Sequence, residues 1–127
     1  MSPKAKKITG WVLVSLLSLL MIGSAMGKFT ADPATEMGQQ LAKMGVWDNR
    51  FLIGGLEMLC AILLLIPRTS TIGVLLTAGY WGGATATEIT HSAFQPIVLI
   101  LMAMLGLVAL LRNPELFQRI LGKPLQQ

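Results

Sequence analysis

The sequence predicts an all-α protein: a four-helix transmembrane bundle, with a short amphipathic interfacial helix between helices one and two. Three observations carry that expectation. The 127 residues are 54% hydrophobic and only 13% charged, whereas soluble domains average about 25% charged. The apolar residues fall into four long stretches. Most charges lie before, between or after these stretches, as they do in membrane proteins. Ten basic and six acidic residues are too few to cover a bundle of this size in water.

The first stretch, Ile8 to Met26, has 19 uncharged residues, close to the roughly 20 that cross a hydrocarbon core. Lysines before it and Gly23, Ser24 and Ala25 at its end also suit a signal peptide. The run is long for an h-region of about 7–15 residues, so it is read as a retained helix over about 8–27. Asp32 is placed to N-cap a short helix, Pro33 to occupy its first position and Gly45 to end it. Met37, Leu41 and Met44 would share its membrane face, with Gln39, Gln40 and Lys43 toward water. An ordinary solvated loop is the alternative for so short a segment.

The second spanning helix is expected over about 48–66, interrupted by Glu57, and Pro67-Arg68-Thr69 makes a tight turn after it. The third is expected over about 71–90, and the fourth over about 94–112 with Pro96 in its first turn. A tail over 113–127 follows, with Leu116, Phe117, Ile120 and Leu121 at helical spacing. It is expected to lie along the inner leaflet, and the whole chain, 1–127, to form a single membrane domain.

Basic residues set the orientation. One side receives Lys4, Lys6, Lys7, Arg68, Arg112, Arg119 and Lys123, the other Lys28, Lys43 and Arg50, a ratio of seven to three. The positive-inside rule then puts both termini in the cytoplasm. The net charge of +4 comes without a basic run longer than two residues and without aromatics interleaved with lysines, so no nucleic-acid partner is expected. Cys60 and His91 are the only residues of their types. A disulfide, a CxxC pair, an iron–sulfur cluster, a cysteine zinc site and bis-histidine haem are therefore excluded within one chain, and no metal is expected.

The polar residues within the apolar stretches fall on the side opposite the termini. Lys28 ends helix one there, Arg50 starts helix two, and Glu88 and His91 end helix three. Glu57 lies seven residues beyond Arg50, about 10 Å deeper. One outward-facing pocket could collect them, with Trp81, Thr85 and Glu88 at i, i+4 and i+7 as a wall. Glu57 is the most informative of these, because an acid in a spanning helix faces the bundle interior and finds a partner. Lys28 is its first candidate partner and Arg50 the second. A buried pair that only fixes packing is the competing reading. His91 also reads as an interfacial residue, and Glu88 as a solvated helix end. Gly23 and Gly27, Gly79 and Gly83, and Gly54 beside Glu57 read as close-packing positions, met within the chain or across a homo-oligomer.

In order, Gly27-Lys28-Phe29, the Gly45 segment, Gly54-Gly55-Leu56-Glu57, Leu64-Leu65-Ile66-Pro67-Arg68-Thr69 and Gly79-Tyr80-Trp81-Gly82-Gly83-Ala84 resemble the DoxX-like family of small bacterial membrane proteins over about residues 10–112. The resemblance implies a four-helix bundle in a bacterial inner membrane. It makes Lys28 and Glu57 recurring polar positions, while Glu88 stands where many relatives carry histidine or asparagine. The family takes its name from a subunit of a thiosulfate to quinone oxidoreductase, and relatives are associated with redox, sulfur or detoxification systems. Two functions are therefore carried forward. One is an accessory or binding protein, not an enzyme on its own, whose pocket holds a small lipophile such as a quinone and supports a redox or detoxification partner. The other is a membrane subunit of a quinone-linked oxidoreductase, with Glu57 and Glu88 relaying protons. A purely structural subunit is a third reading.

Overall fold

The computed structural model describes residues 2–122. Every regular element among them is helical: α1 (Pro3–Thr30), α2 (Glu36–Lys43), α3 (Arg50–Leu65), α4 (Ser70–Thr90), α5 (Ile97–Arg112) and α6 (Pro114–Ile120). Single 3₁₀ turns, Trp47–Asn49 and Pro67–Thr69, lead into α3 and α4. α1 packs on α3 and α5, and α4 also packs on α3 and α5, so the four long helices close a ring.

Burial follows helical spacing. α1 turns Gly10, Val14, Leu17, Ser18, Met21, Ala25 and Lys28 inward, a stripe of period 3.6. α3 turns in Gly54, Glu57, Cys60, Ala61 and Leu64, and Val98, Leu105 and Val108 of α5 complete the core. The outer faces stay apolar: Leu16, Leu19 and Leu20 of α1, Leu52 and Leu59 of α3, Leu75 and Leu76 of α4, and Leu99 and Ile100 of α5 are all exposed. A ring of helices apolar on both faces suits lipid, not water. Among the described residues, α1 alone is long and apolar enough to be a membrane span by itself; Trp47–Leu65 with Pro67–Thr90, and Ile97–Arg112 with Pro114–Ile120, qualify only as bent pairs.

Several boundaries differ from the sequence expectation. α1 starts five residues before the apolar run because the Ser2 hydroxyl accepts the Ala5 N–H at 3.2 Å and Pro3 fills the first turn, which lets the lysine-rich segment join the helix. α5 starts at Ile97, not 94, because Pro96 stands at its N-cap and disfavours helix in the residue before it. The cap of α2 is Thr35, whose hydroxyl accepts the Gly38 N–H at 3.0 Å. Asp32 instead closes a turn by accepting the N–H groups of Ala34 and Thr35. At the other end of α2, Gly45 takes φ +72°. The Gly45 N–H donates to the Ala42 carbonyl and the Val46 N–H to the Leu41 carbonyl, the pair of bonds that makes a Schellman stop.

The basic end of the bundle is pinned by two polar contacts. Arg112 donates to the Leu64 and Leu65 carbonyls at 2.9 and 3.3 Å, and its guanidinium lies 4.7 Å from the Trp11 ring centroid. It thereby satisfies the last carbonyls of α3, which have no partner within their own helix. Gly10 makes room for it, since a Cβ there would sit 2.8 Å from Arg112 Cγ. Beside it, Ser70 donates to the Asn113 side-chain oxygen at 3.2 Å, tying the start of α4 to the end of α5. The chain turns 101° into α6, which packs Leu116 and Phe117 against the core. The last five residues of the expected tail, 123–127, lie outside the described residues.

α3 and α4 meet tightly at their junction, where a Cβ on Gly73 would come within 2.5 to 2.7 Å of the Leu63 and Leu64 backbone. The chain bends 109° between Trp47–Leu65 and Pro67–Thr90. The two helices therefore diverge away from that junction. The wedge between them opens at the end of the bundle opposite Arg112.

Candidate functional site

The wedge holds a cavity of about 400 Å³, within the roughly 300–1,000 Å³ range of small-molecule sites. Ser24 and Lys28 of α1 and Ile53, Leu56 and Glu57 of α3 line one side; Tyr80, Trp81, Ala84, Thr87 and Glu88 of α4 line the other. α5 contributes Ile97, Val98 and Leu101. α2 forms the roof with Met37, Gln40, Leu41 and Met44, its residues at i, i+3, i+4 and i+7. The apolar face of α2 thus covers the open end of the bundle, with Leu41 only 2% exposed. Met37, Leu41 and Met44, expected to share a membrane face, face the cavity, and Gln40, expected toward water, lines it with them.

Lys28 and Glu57 form the polar focus of the cavity. Lys28 Nζ donates to Glu57 Oε1 and to Ser24 Oγ, both at 2.8 Å. The two residues are 9% and 4% exposed. Their approach is made possible by Gly54, where a Cβ would lie 3.1 Å from the Phe29 ring and 3.3 Å from both the Ala25 carbonyl oxygen and Lys28 Cβ. The close-packing reading of Gly54 therefore has a visible purpose: it lets α1 and α3 come near enough for the pair to form. Two charges removed from water need each other and further hydrogen bonds, and Ser24 supplies one. Ser24 stands four residues before Lys28, one turn away on the same face, which is the sequence signal that could have identified it.

The other predicted site residues divide. Trp81 and Glu88 line the cavity. Glu88 also has a structural task, because its carboxylate accepts the Gln95 N–H at 3.2 Å and holds the α4–α5 connection. Thr85 does not line the cavity: its hydroxyl donates to the Trp81 carbonyl at 2.8 Å, a local bond that competes for the side chain. Tyr80 and Thr87 take its place on the wall. Arg50 is not the partner of Glu57. Its guanidinium donates to the Trp47 carbonyl at 3.0 Å and lies 4.0 and 4.5 Å from the Trp47 and Phe51 ring centroids. Stacking on two aromatic rings at the bundle end avoids carrying a second cation into the interior. His91 is exposed outside the cavity, with Nδ1 2.9 Å from the Thr87 carbonyl oxygen.

The glycine pairs also need correction. A Cβ on Gly23, Gly79 or Gly83 would meet nothing within 4 Å, and on Gly27 only the Met37 methyl at 3.3 Å. Within the chain, none of the four brings two helix backbones together. Gly83 instead borders the cavity, and the close backbone contacts fall at Gly54 and Gly73.

The profile of the DoxX-like family matches residues 12–111. That stretch contains α3, α4 and α5 up to Leu111, all but the start of α1, and every residue of the cavity. The chain belongs to the DoxX-like family. No curated protein and no solved structure matches it. Family membership and the exposed apolar faces agree in making this a membrane protein.

Proposed function

We propose that this DoxX-like protein is a membrane-embedded accessory or binding protein whose cavity holds a small lipophile, such as a quinone, for a partner redox or detoxification system. The observation that carries the reading is a desolvated Lys28–Glu57 pair on the wall of an otherwise largely apolar cavity of about 400 Å³. Apolar walls with a few convergent polar groups are the usual composition of a ligand site.

In this reading α1, α3, α4 and α5 each cross the bilayer of a bacterial inner membrane. Trp47–Leu65, the 3₁₀ turn and α3 together, has 19 residues and a length of roughly 29 Å, less along the bilayer normal because the 109° bend into α4 tilts the pair, so the bilayer would thin around it. Trp11 beside Arg112 and Trp47 beside Arg50 mark the two ends, as interfacial tryptophans do. Lys4, Lys6, Lys7, Arg68, Arg112 and Arg119 lie at the end with the termini, which the positive-inside rule assigns to the cytoplasm. The cavity then opens toward the periplasmic half.

Ala84→Trp places an indole in the cavity, and mass spectrometry of hydrophobic molecules extracted from purified protein tests the reading. A species present in the wild type and depleted in the variant is expected; identical extracts would overturn it. A second reading, a quinone-linked oxidoreductase subunit, draws on Glu57 and Glu88 lining the same cavity. It requires that species to be a quinone and a dehydrogenase to copurify.

A further inference from the structure

The Lys28–Glu57 pair leaves hydrogen-bonding capacity unused. A lysine ammonium has three N–H groups, and Lys28 spends one on Ser24 and one on Glu57. Glu57 accepts through Oε1 only; among the described residues its Oε2 receives no hydrogen bond, although the residue is 4% exposed. Both side chains line the cavity. An acceptor that is still accessible from the cavity thus stands beside an unused donor.

We infer that the cavity, if it is the binding site proposed above, selects a neutral phenol, whose hydroxyl donates to Glu57 Oε2 and accepts from the third N–H of Lys28. The head group must be neutral because the pair already balances itself, and a ligand charge of either sign would be left uncompensated in a buried site. It must donate as well as accept. Of the lipophiles covered by the reading above, a quinone is therefore held less well than a phenol: its carbonyl oxygen could take the lysine N–H but would turn lone pairs toward the free carboxylate oxygen. The head group is aromatic because Tyr80 and Trp81 form the facing wall and the thioethers of Met37 and Met44 the roof, and rings and sulfurs favour an aromatic guest. A cavity of about 150 Å³ accepts benzene, so the present one admits a ring with a short alkyl chain.

The test is equilibrium binding of 4-butylphenol, its O-methyl ether 4-butylanisole and ionised 4-butylbenzoate to the full chain in phosphatidylcholine nanodiscs, with empty discs subtracted. The phenol should bind the wild type about 10-fold or more tightly than the ether, the difference expected for a hydrogen bond to a charged group. The benzoate should not bind. Glu57→Gln should remove most of the preference for phenol over ether, because an amide N–H then stands where the phenol hydroxyl needs an acceptor and the ether does not. Equal affinities of phenol and ether for the wild type would overturn the inference without use of any variant, as would benzoate binding or discrimination that survives in Glu57→Gln. If phenol and ether bind equally and Ala84→Trp abolishes both, the cavity is a binding site and only the phenol assignment fails. Binding no greater than to empty discs for every probe overturns the phenol assignment, and unchanged extracts from Ala84→Trp would then remove the binding reading as well.

Discussion

Breaking the Lys28–Glu57 pair from one side should cost far more than removing both charges. The side chains are 11% and 6% exposed and 2.8 Å apart, so either charge left alone remains buried. Removing one partner of such a pair typically costs about 3–5 kcal/mol, whereas replacing both with neutral groups of similar volume is often close to neutral. Lys28→Met should fall at the upper end, because Glu57 then keeps no hydrogen-bond donor. Glu57→Gln should fall lower, since its side-chain carbonyl and the Ser24 hydroxyl can still accept from Lys28. The combined variant should recover most of the loss. Thermal and denaturant unfolding in one detergent, followed by tryptophan emission and by retention of the monodisperse peak, gives the four corners of the cycle. A coupling energy near zero, with the two losses simply adding, would show that the pair is too well solvated to be buried in the protein as it stands in detergent. Function then separates the two roles of Glu57. If the stable double variant also retains ligand or partner activity, Glu57 is a packing residue and the binding reading loses its polar focus.

Three further outcomes follow from other parts of the chain. Gly73→Ala drives a Cβ against the Leu63 and Leu64 backbone, which cannot rotate away, and should cost at least the 1–3 kcal/mol typical of overpacking; Gly79→Ala, with open space around it and a better helix former in place, should not lower the melting temperature. The Glu115 carboxyl is raised by burial but held net below its usual range by hydrogen bonds from Thr71, its own backbone and Asn113. A depressed folded-state pKa means a contribution fully present above the unfolded-state value and lost as pH falls through the folded one, so wild type and Glu115→Gln should differ most near neutral pH and converge in acid; a difference independent of pH would refute this. A periplasm-active reporter should be inactive at the C-terminus and active when inserted near Gln40, and activity at the C-terminus would refute the four-span topology.

Helix positions were legible in the sequence because the signals are local. Apolar runs, prolines and basic flanks report on their own segments, and long apolar stretches become helices whatever surrounds them. Lys28 and Glu57 could be paired in advance for a similar reason: a carboxylate inside an apolar helix has few affordable partners, and Lys28 and Arg50 were the cations at its end of the bundle. Arg50 misleads at this level because depth says nothing of direction, and the aromatic rings of Trp47 and Phe51 hold it at the bundle end.

Residue order alone implies an all-helical chain with apolar faces outward, two ends unlike in charge, and one acid that had to be met inside. Which glycines are needed depends on how the helices pack. GxxxG spacing marks a small surface but not what approaches it, and the helices approach at Gly54 and Gly73 while Gly79 and Gly83 face open space. The cavity, too, depends on that packing. It exists because α3 and α4 leave their shared turn at 109° and α2 folds back over the gap. Both depend on contacts between residues distant in the chain, which no local pattern encodes.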